Sequence, residues 1–301
     1  EGGQVMGEGW REFPELDRET LVALRKALDG AYREFSRDYG AAIESFFDPL
    51  LWFLVWFEKL LLAAPWWLMI VILCGFAWHA SRSWKVVTGT AVAFGLIGLF
   101  GMWDDTMRTM GIITVCTLIA IAFGVPVGIA MARSPRTRAV VTPVLDVMQT
   151  MPAFVYLIPV VMLLGIGKVP GVIAVVVYAI PPVIRLTDLG IRLVDRDVLE
   201  AADAFGAGPW QRLTSVQIPL ALPTIMAGIN QTIMMALAMV VIASMIGVQG
   251  LGQPVLKSIT NQYFTLGLLN GLAIVALAIV FDRISQAYGR RMQAHRARLE
   301  G

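Results

Sequence analysis

Charge is what this sequence has least of. Of 301 residues only 15% are Asp, Glu, Lys or Arg, against about 25% in an ordinary soluble domain. The shortage is uneven, because the charges gather in a few clusters separated by long stretches with none. With 57% hydrophobic residues and a mean hydropathy of +0.70, that pattern excludes a soluble globular domain. A net charge of +2 excludes a strongly basic nucleic-acid binder. Cysteine is scarce too: Cys74 and Cys116 sit in apolar runs and read as small buried hydrophobes. The two histidines, His79 and His295, lie beside basic clusters, and no ligands converge at metal-binding spacing. There is no G-x-x-x-x-G-K-[ST] phosphate loop, so the chain is expected to bind no ATP or other cofactor itself. No Ser/His/Asp or Cys/His set points to an enzyme. The sequence opens on Glu1, as expected where numbering starts after a trimmed segment, and no signal-peptide pattern is read at its start.

What is present is apolar length. A helix needs about 20 mostly apolar residues to cross a bilayer, since its backbone must satisfy its own polar groups. Charge-free stretches number 22 residues between Lys59 and Arg82, 18 at Val86–Trp103 and 24 at Thr109–Ala132. They number 21 at Val147–Gly167, 16 at Val169–Ile184, 44 at Leu213–Leu256 and 24 at Ser258–Phe281. The fifth extends by snorkelling of Arg185. The 44-residue stretch, punctuated by Pro219, Pro223, Gly247, Gly250, Gly252 and Pro254, reads as one span near 220–246 with irregular backbone at both ends. The expectation is an all-α integral membrane protein of about seven spans. Fourteen Lys and Arg lie at one set of span ends and three, Arg108, Lys168 and Lys257, at the other. The positive-inside rule then puts the C-terminus in the cytoplasm and the N-terminus outside.

The first 59 residues hold 12 acidic and seven basic residues. Leu21, Leu24, Leu28, Tyr32 and Phe35 recur at helical spacing, which predicts an amphipathic helix over 19–38. Residues 46–62, rich in Trp and Phe but broken by Asp48, Glu58 and Lys59, suit an interfacial helix, with an eighth span as the alternative. The predicted organisation is an outer extension 1–59, a membrane domain 60–284 and a basic tail 285–301.

The chemistry sits between spans five and six. Residues 185–212 read RLTDLGIRLVDRDVLEAADAFGAGPWQR and are followed by LTSVQIPLALP. Glu200, Ala201, Ala202, Gly206, Val216, Ile218 and Pro219 give the spacing E-A-A-x3-G-x9-V-x-I-P. Asp197 is predicted to cap a short helix and Gly206 with Gly208-Pro209 to end it. Small residues let another surface approach closely, Glu200 offers a charge, and a short rigid helix transmits motion better than coil. E-A-A alone is common and fits an ordinary loop helix. The downstream glycine and V-x-I-P at this distance favour docking.

That segment resembles the EAA signature of permease subunits of bacterial ABC importers, usually E-A-A-x3-G-x9-I-x-L-P, with Val216 and Ile218 in place of Ile and Leu. Stretches 146–174, 181–191, 223–256 and 277–287 look like the glycine betaine/proline betaine permease family over residues 84–290. The resemblance implies a coupling segment at 192–219 that docks on an ATPase subunit carrying ATP and Mg. It also implies an external substrate-binding protein, and a quaternary amine or related osmolyte as substrate. A single coupling helix per chain implies a homodimer with two ATPases. An importer for amino acids or another small solute stays open. So does an ion-coupled secondary transporter, for which only Asp146 would serve.

Polar residues within spans mark candidate pathways. Asp146 and Gln149 fall at the inner end of span four, and Asn230 and Gln231 a few residues into span six. Interhelical hydrogen bonding is the plainer role for each. Phe154 and Tyr156 offer aromatic faces to a cationic amine, in a span that Pro152 and Pro159 should kink. Gly124 and Gly128 have the small-xxx-small spacing of close helix packing.

Overall fold

A computed structural model describes residues 17–297, with side chains described to Gly289. The remainder of the extension and of the tail, including Arg298, lies outside the described residues, as does the side chain of His295. The described residues are helical with no strand. The chain divides into two compact units, Glu1–Phe46 and Phe47–Gly301.

The first helix, α1 (Arg18–Ala63), runs unbroken where two helices were expected. Ala41 and Ala42 are strong helix formers, and a lone Gly40 costs only about 1 kcal/mol, so the two apolar patterns join. In the first unit the expected stripe is present but uncovered, with Leu24, Leu28 and Phe35 exposed. In the second unit the Trp-rich portion keeps Asp48 and Lys59 exposed, as an interfacial helix would, but not its third charge. Glu58 is buried, bonded to Lys168 and 3.9 Å from Arg108 Nε.

The second unit continues with α2 (Trp66–Ser81) and α3 (Trp84–Leu99), packed on each other, and then the long α4 (Trp103–Arg133). The Ser134 hydroxyl accepts the Thr137 amide at 3.2 Å, and Pro135 fills the first turn of α5 (Pro135–Thr150), the usual N-terminal chemistry. Met151 is extended ahead of Pro152, since a proline disfavours helix in the residue before it. The chain therefore turns by 113° into a 3-10 turn at Ala153–Tyr156 and α6 (Leu157–Leu164). Next come α7 (Lys168–Ala179) and α8 (Pro181–Arg192), then α9 (Arg196–Ala204) and the single turn α10 (Pro209–Gln211). A π-helical turn, Arg212–Gln217, leads into α11 (Ile218–Ala243). After it come α12 (Gly252–Asn261) and α13 (Phe264–Ala297).

Four segments are each long and apolar enough to cross a membrane: Trp103–Arg133, Lys168–Arg192, Pro209–Ile246 and Phe264–Gly289. Two bent pairs, α1 with α2 and α5 with α6, qualify only jointly, and α3 is apolar but shorter. The seven expected segments are thus all helical, but three fall short of a span by themselves. The fourth is broken at Pro152, and the seventh begins at Phe264 because Ser258–Asn261 belong to α12.

The core is α8 held between α4 and α11. A methyl group at Gly128 of α4 would stand 2.6 Å from Thr187 Cβ and 2.7 Å from the Ile184 carbonyl. At Gly190 of α8 it would meet Thr224 Cβ at 2.9 Å, and at Gly228 of α11 it would meet Leu186 Cβ at 2.9 Å. No side chain fits at these crossings, so backbone lies against side chain on both sides of α8. Leu in place of Gly128 overpacks the seam, which should cost about 1–3 kcal/mol and lower the unfolding temperature in detergent. Gly271→Ala, where nothing lies within 4 Å, should leave it unchanged or raise it.

Candidate functional site: a short helix between two spans

The segment joining α8 to α11 is built to stand out. The Asp195 carboxylate accepts the Asp197 amide at 3.0 Å, so the cap is Asp195. Asp197, the expected cap, instead sits in the first turn, where a negative charge suits the positive end of the helix. At the other end Gly206 has φ +79°, the left-handed conformation that side chains resist. Its amide donates to the Asp203 carbonyl at 2.9 Å, and the Ala207 amide reaches back to Ala202 at 3.0 Å. That pair of bonds satisfies the last carbonyls and stops the helix in a Schellman turn.

Between these ends no residue of α9 is buried. Glu200 and Ala201 are exposed and Ala202 is half-buried. Around them stand Leu193, Val198, Phe205 and Trp210, with Phe205 93% and Trp210 67% exposed. The sequence reading passed over these four. The available signal was bulky apolar side chains inside the most charged internal loop.

The helix is firmly mounted. Arg212 donates to Asp203 at 2.8 Å, bracing α9 on the π turn. Leu213 is buried with Ile191, Ala221 and Ile225, which roots the turn in α8 and α11. Val216 lies in the π turn, and Ile218 and Pro219 open α11. Proline has no amide to donate and its ring crowds the carbonyl four residues back, which accounts for a wider turn just before it. The E-A-A-x3-G half of the motif is therefore an exposed helix, and the V-x-I-P half is the joint that fixes it to a span.

The six pathway candidates do not converge. Asp146 lies on α5, before the 113° bend, and is ion-paired with Arg185. Gln149 is exposed near the end of the same helix. Phe154 is exposed in the 3-10 turn, whereas Tyr156 is buried. The Tyr156 hydroxyl donates to the Met148 carbonyl, and its ring stands edge-on to Tyr178 at 5.7 Å. Asn230 donates to Asp282 at 2.9 Å and accepts from Ser285, so it ties α11 to α13. Gln231, one residue on, is exposed on a face of α11 shared with Ala227 and Ala238.

These neighbours should respond differently to alanine. Asn230→Ala strips a partner from Asp282 and Ser285 and should cost about 1–2 kcal/mol of stability. Gln231→Ala should change it by less than about 0.5 kcal/mol. Thermal unfolding in detergent distinguishes them, and equal losses would contradict this placement.

Residues 124–294 match the family model described as the binding-protein-dependent transport system inner membrane component. The glycine betaine/proline betaine transport system permease protein ProW of Escherichia coli (strain K12) is 50% identical over 242 residues, 80% of this chain and 68% of the relative. The glycine betaine/carnitine transport permease protein GbuB of Listeria monocytogenes serotype 1/2a (strain 10403S) is 46% identical, over 77% of this chain and 83% of the relative. The glycine betaine transport system permease protein OpuAB of Bacillus subtilis (strain 168) is 41% identical, over 90% of this chain and 96% of the relative. Among solved structures, the MetNI methionine ABC transporter in an inward-facing form superimposes with TM-score 0.57 at 18% identity, over 64% of this chain and 97% of that one. That match shows a shared fold.

Proposed function

The chain belongs to the family of binding-protein-dependent transport system inner membrane components, and we propose that it translocates betaine-like osmolytes by coupling to a separate ATPase. The substrate class rests on the relatives, named for glycine betaine with proline betaine or carnitine. As a permease of this family it works with an ATPase and a substrate-binding protein. ATP and Mg act on the ATPase, and the stoichiometry is two copies of this chain with two ATPases. The observation that carries the mechanism is α9, a capped helix with no buried residue, ringed by exposed Phe205 and Trp210 and rooted in α8 and α11. Bulky apolar side chains at the centre of a patch are the usual anchors of an interface. The ion-coupled alternative loses its one carboxylate, because Asp146 is neutralised by Arg185. For the pathway, Gln231 and Phe154 are the better candidates, since both are exposed polar or aromatic groups on apolar elements.

Glu200→Lys, Gly206→Trp and Phe205→Asp should each abolish uptake of glycine betaine while leaving the protein in the membrane. Phe205→Asp should in addition lose co-purification with the ATPase. Normal transport by any of them would remove α9 from the mechanism. Sizing the wild-type complex checks the stoichiometry; a single permease chain per two ATPases would defeat the homodimer.

The excess of Lys and Arg at one set of span ends supports a topology with α9 and the C-terminus in the cytoplasm and the N-terminus outside. In spheroplasts, a cysteine at Ser36 should react with a membrane-impermeant thiol reagent and one at Phe205 only after lysis. The reverse pattern would invert the protein.

A further inference from the structure

The short helix α5 is held in an unusual way. Of its 16 residues only Leu145 is buried, where it packs with Met131 of α4 and Ile184 of α8. Two ion pairs to α8 accompany this contact. Asp146 receives Arg185, and Arg138 Nε lies 3.6 Å from Asp188 Oδ2. The two pairs have opposite sense: α5 supplies an acid in one and a base in the other. Their order is also reversed, since 138 to 146 on α5 meets 188 to 185 on α8. One pair would leave a pivot, but two spaced pairs and an apolar contact fix direction as well as position.

The α8 side is made rigid by its own chemistry. Asp188 is 4% exposed and takes two bonds from Arg192, at 2.9 and 2.8 Å. A carboxylate clamped in this way aims its remaining capacity at Arg138. Rigidity continues beyond α5. The Tyr156 hydroxyl donates to the Met148 carbonyl across the 113° corner, so α5 cannot turn without the Ala153–Tyr156 turn. Exposed Phe154 lies in that turn.

We propose that Arg185, Asp188, Asp146 and Arg138 are positioning residues that make α5 a second drive arm, carrying the motion of α8 and α9 round the corner to Phe154. The inference rests on the reading of α9 as the coupling element. The energetics suit transmission better than folding. The Asp146–Arg185 side chains are 58% and 35% exposed, and a pair so placed contributes little to folding stability. Its loss leaves the fold standing and lets α5 lag behind α8. Pairing can also be reversed, because swapping the two charges restores the attraction between the two positions.

The test uses the complete permease–ATPase complex with one labelled permease copy. Spin labels go at Ser215 on the π turn, at Val147 on α5 and at Phe76 on α2, all exposed. Distances are compared without nucleotide and with trapped ATP. The expected result is that Ser215–Phe76 and Val147–Phe76 change together while Ser215–Val147 stays constant. In Asp146→Arg, Ser215–Val147 should become variable and more ATP should be hydrolysed per glycine betaine moved. The double variant Asp146→Arg/Arg185→Asp should restore both. If Ser215–Phe76 changes while Val147–Phe76 does not, α5 is not driven and the proposal alone falls. If Ser215–Phe76 is also fixed in a complex that hydrolyses ATP, the coupling reading falls and takes the proposal with it. Failure of the double variant to restore a constant Ser215–Val147 distance would likewise overturn it.

Discussion

Everything in the second unit is arranged around the contact of α8 with α4 and α11. Glycine at 128, 190 and 228 removes the layer of side chains that usually separates two helices, and Thr187, Leu186 and Thr224 fill the space left. In an apolar medium there is little hydrophobic gain in bringing helices together, so close van der Waals packing supplies the association. A seam with no slack has a mechanical consequence. It does not shear by small amounts, because packed interiors switch between discrete arrangements rather than deforming continuously. Whatever pushes on α9 therefore moves α8 and α11 as one piece.

Charge is the second constraint. In a chain this poor in charged residues, two buried carboxylates each carry two cations. Asp188 holds Arg192 and Arg138 at one end of the bundle. Glu58 holds Lys168 and lies 3.9 Å from Arg108. Arg108 also donates to Gln249, beyond the C-terminal end of α11. Burying an ion is costly unless it is paired and fully bonded. A carboxylate under two cations meets that condition, and Glu58 in this way joins three elements where a simple pair joins two. The Glu58 staple ties the second-unit portion of α1 to α4 and to the first turn of α7, which gives that portion a structural place in the core.

Much of this was legible in the residues, for reasons that differ element by element. The long charge-free runs fixed the positions of α4, α11 and α13 because apolar length has one cheap solution in a bilayer. Gly124 and Gly128 announced a close crossing because little else explains two small residues one turn apart on such a helix. The end of α9 at Gly206 was legible because a left-handed residue there is nearly always glycine. What sequence reasoning missed depends on contacts far apart in the chain. Nothing in the local sequence says that Asp146 meets Arg185, 39 residues away, or that Glu58 is buried under Lys168, 110 residues away. On its sequence Asp146 therefore stays open between bonding to another helix and lining a pathway, and residues 46–62 suit a surface helix. Asp195 caps α9 in place of the expected Asp197, two residues on, because the cap is set by where the helix starts in three dimensions. The fourth span differs for another reason: Pro152 is expected to kink it, but the restriction it places on Met151 breaks the helix outright.

The break at Pro152 also changes how force reaches the pathway face. A continuous fourth span would have moved Phe154 along the axis of that span, under the control of its own length. A corner converts the same displacement into rotation, with the Tyr156–Met148 bond as the brace and the Tyr156–Tyr178 edge contact as the bearing. Phe154 projects from the turn on this corner, while Gln231 lies on α11, which is welded to α8 at Gly190 and Gly228. The two exposed pathway candidates thus sit on parts with different mechanical linkage to the same short helix. One rides directly on the driven span and the other is carried by ion pairs that water and salt weaken. On the proposed reading of α9 and α5, a transporter built this way has a stiff route and a compliant route from one docking surface. The compliant route is the one whose strength can change without repacking the core.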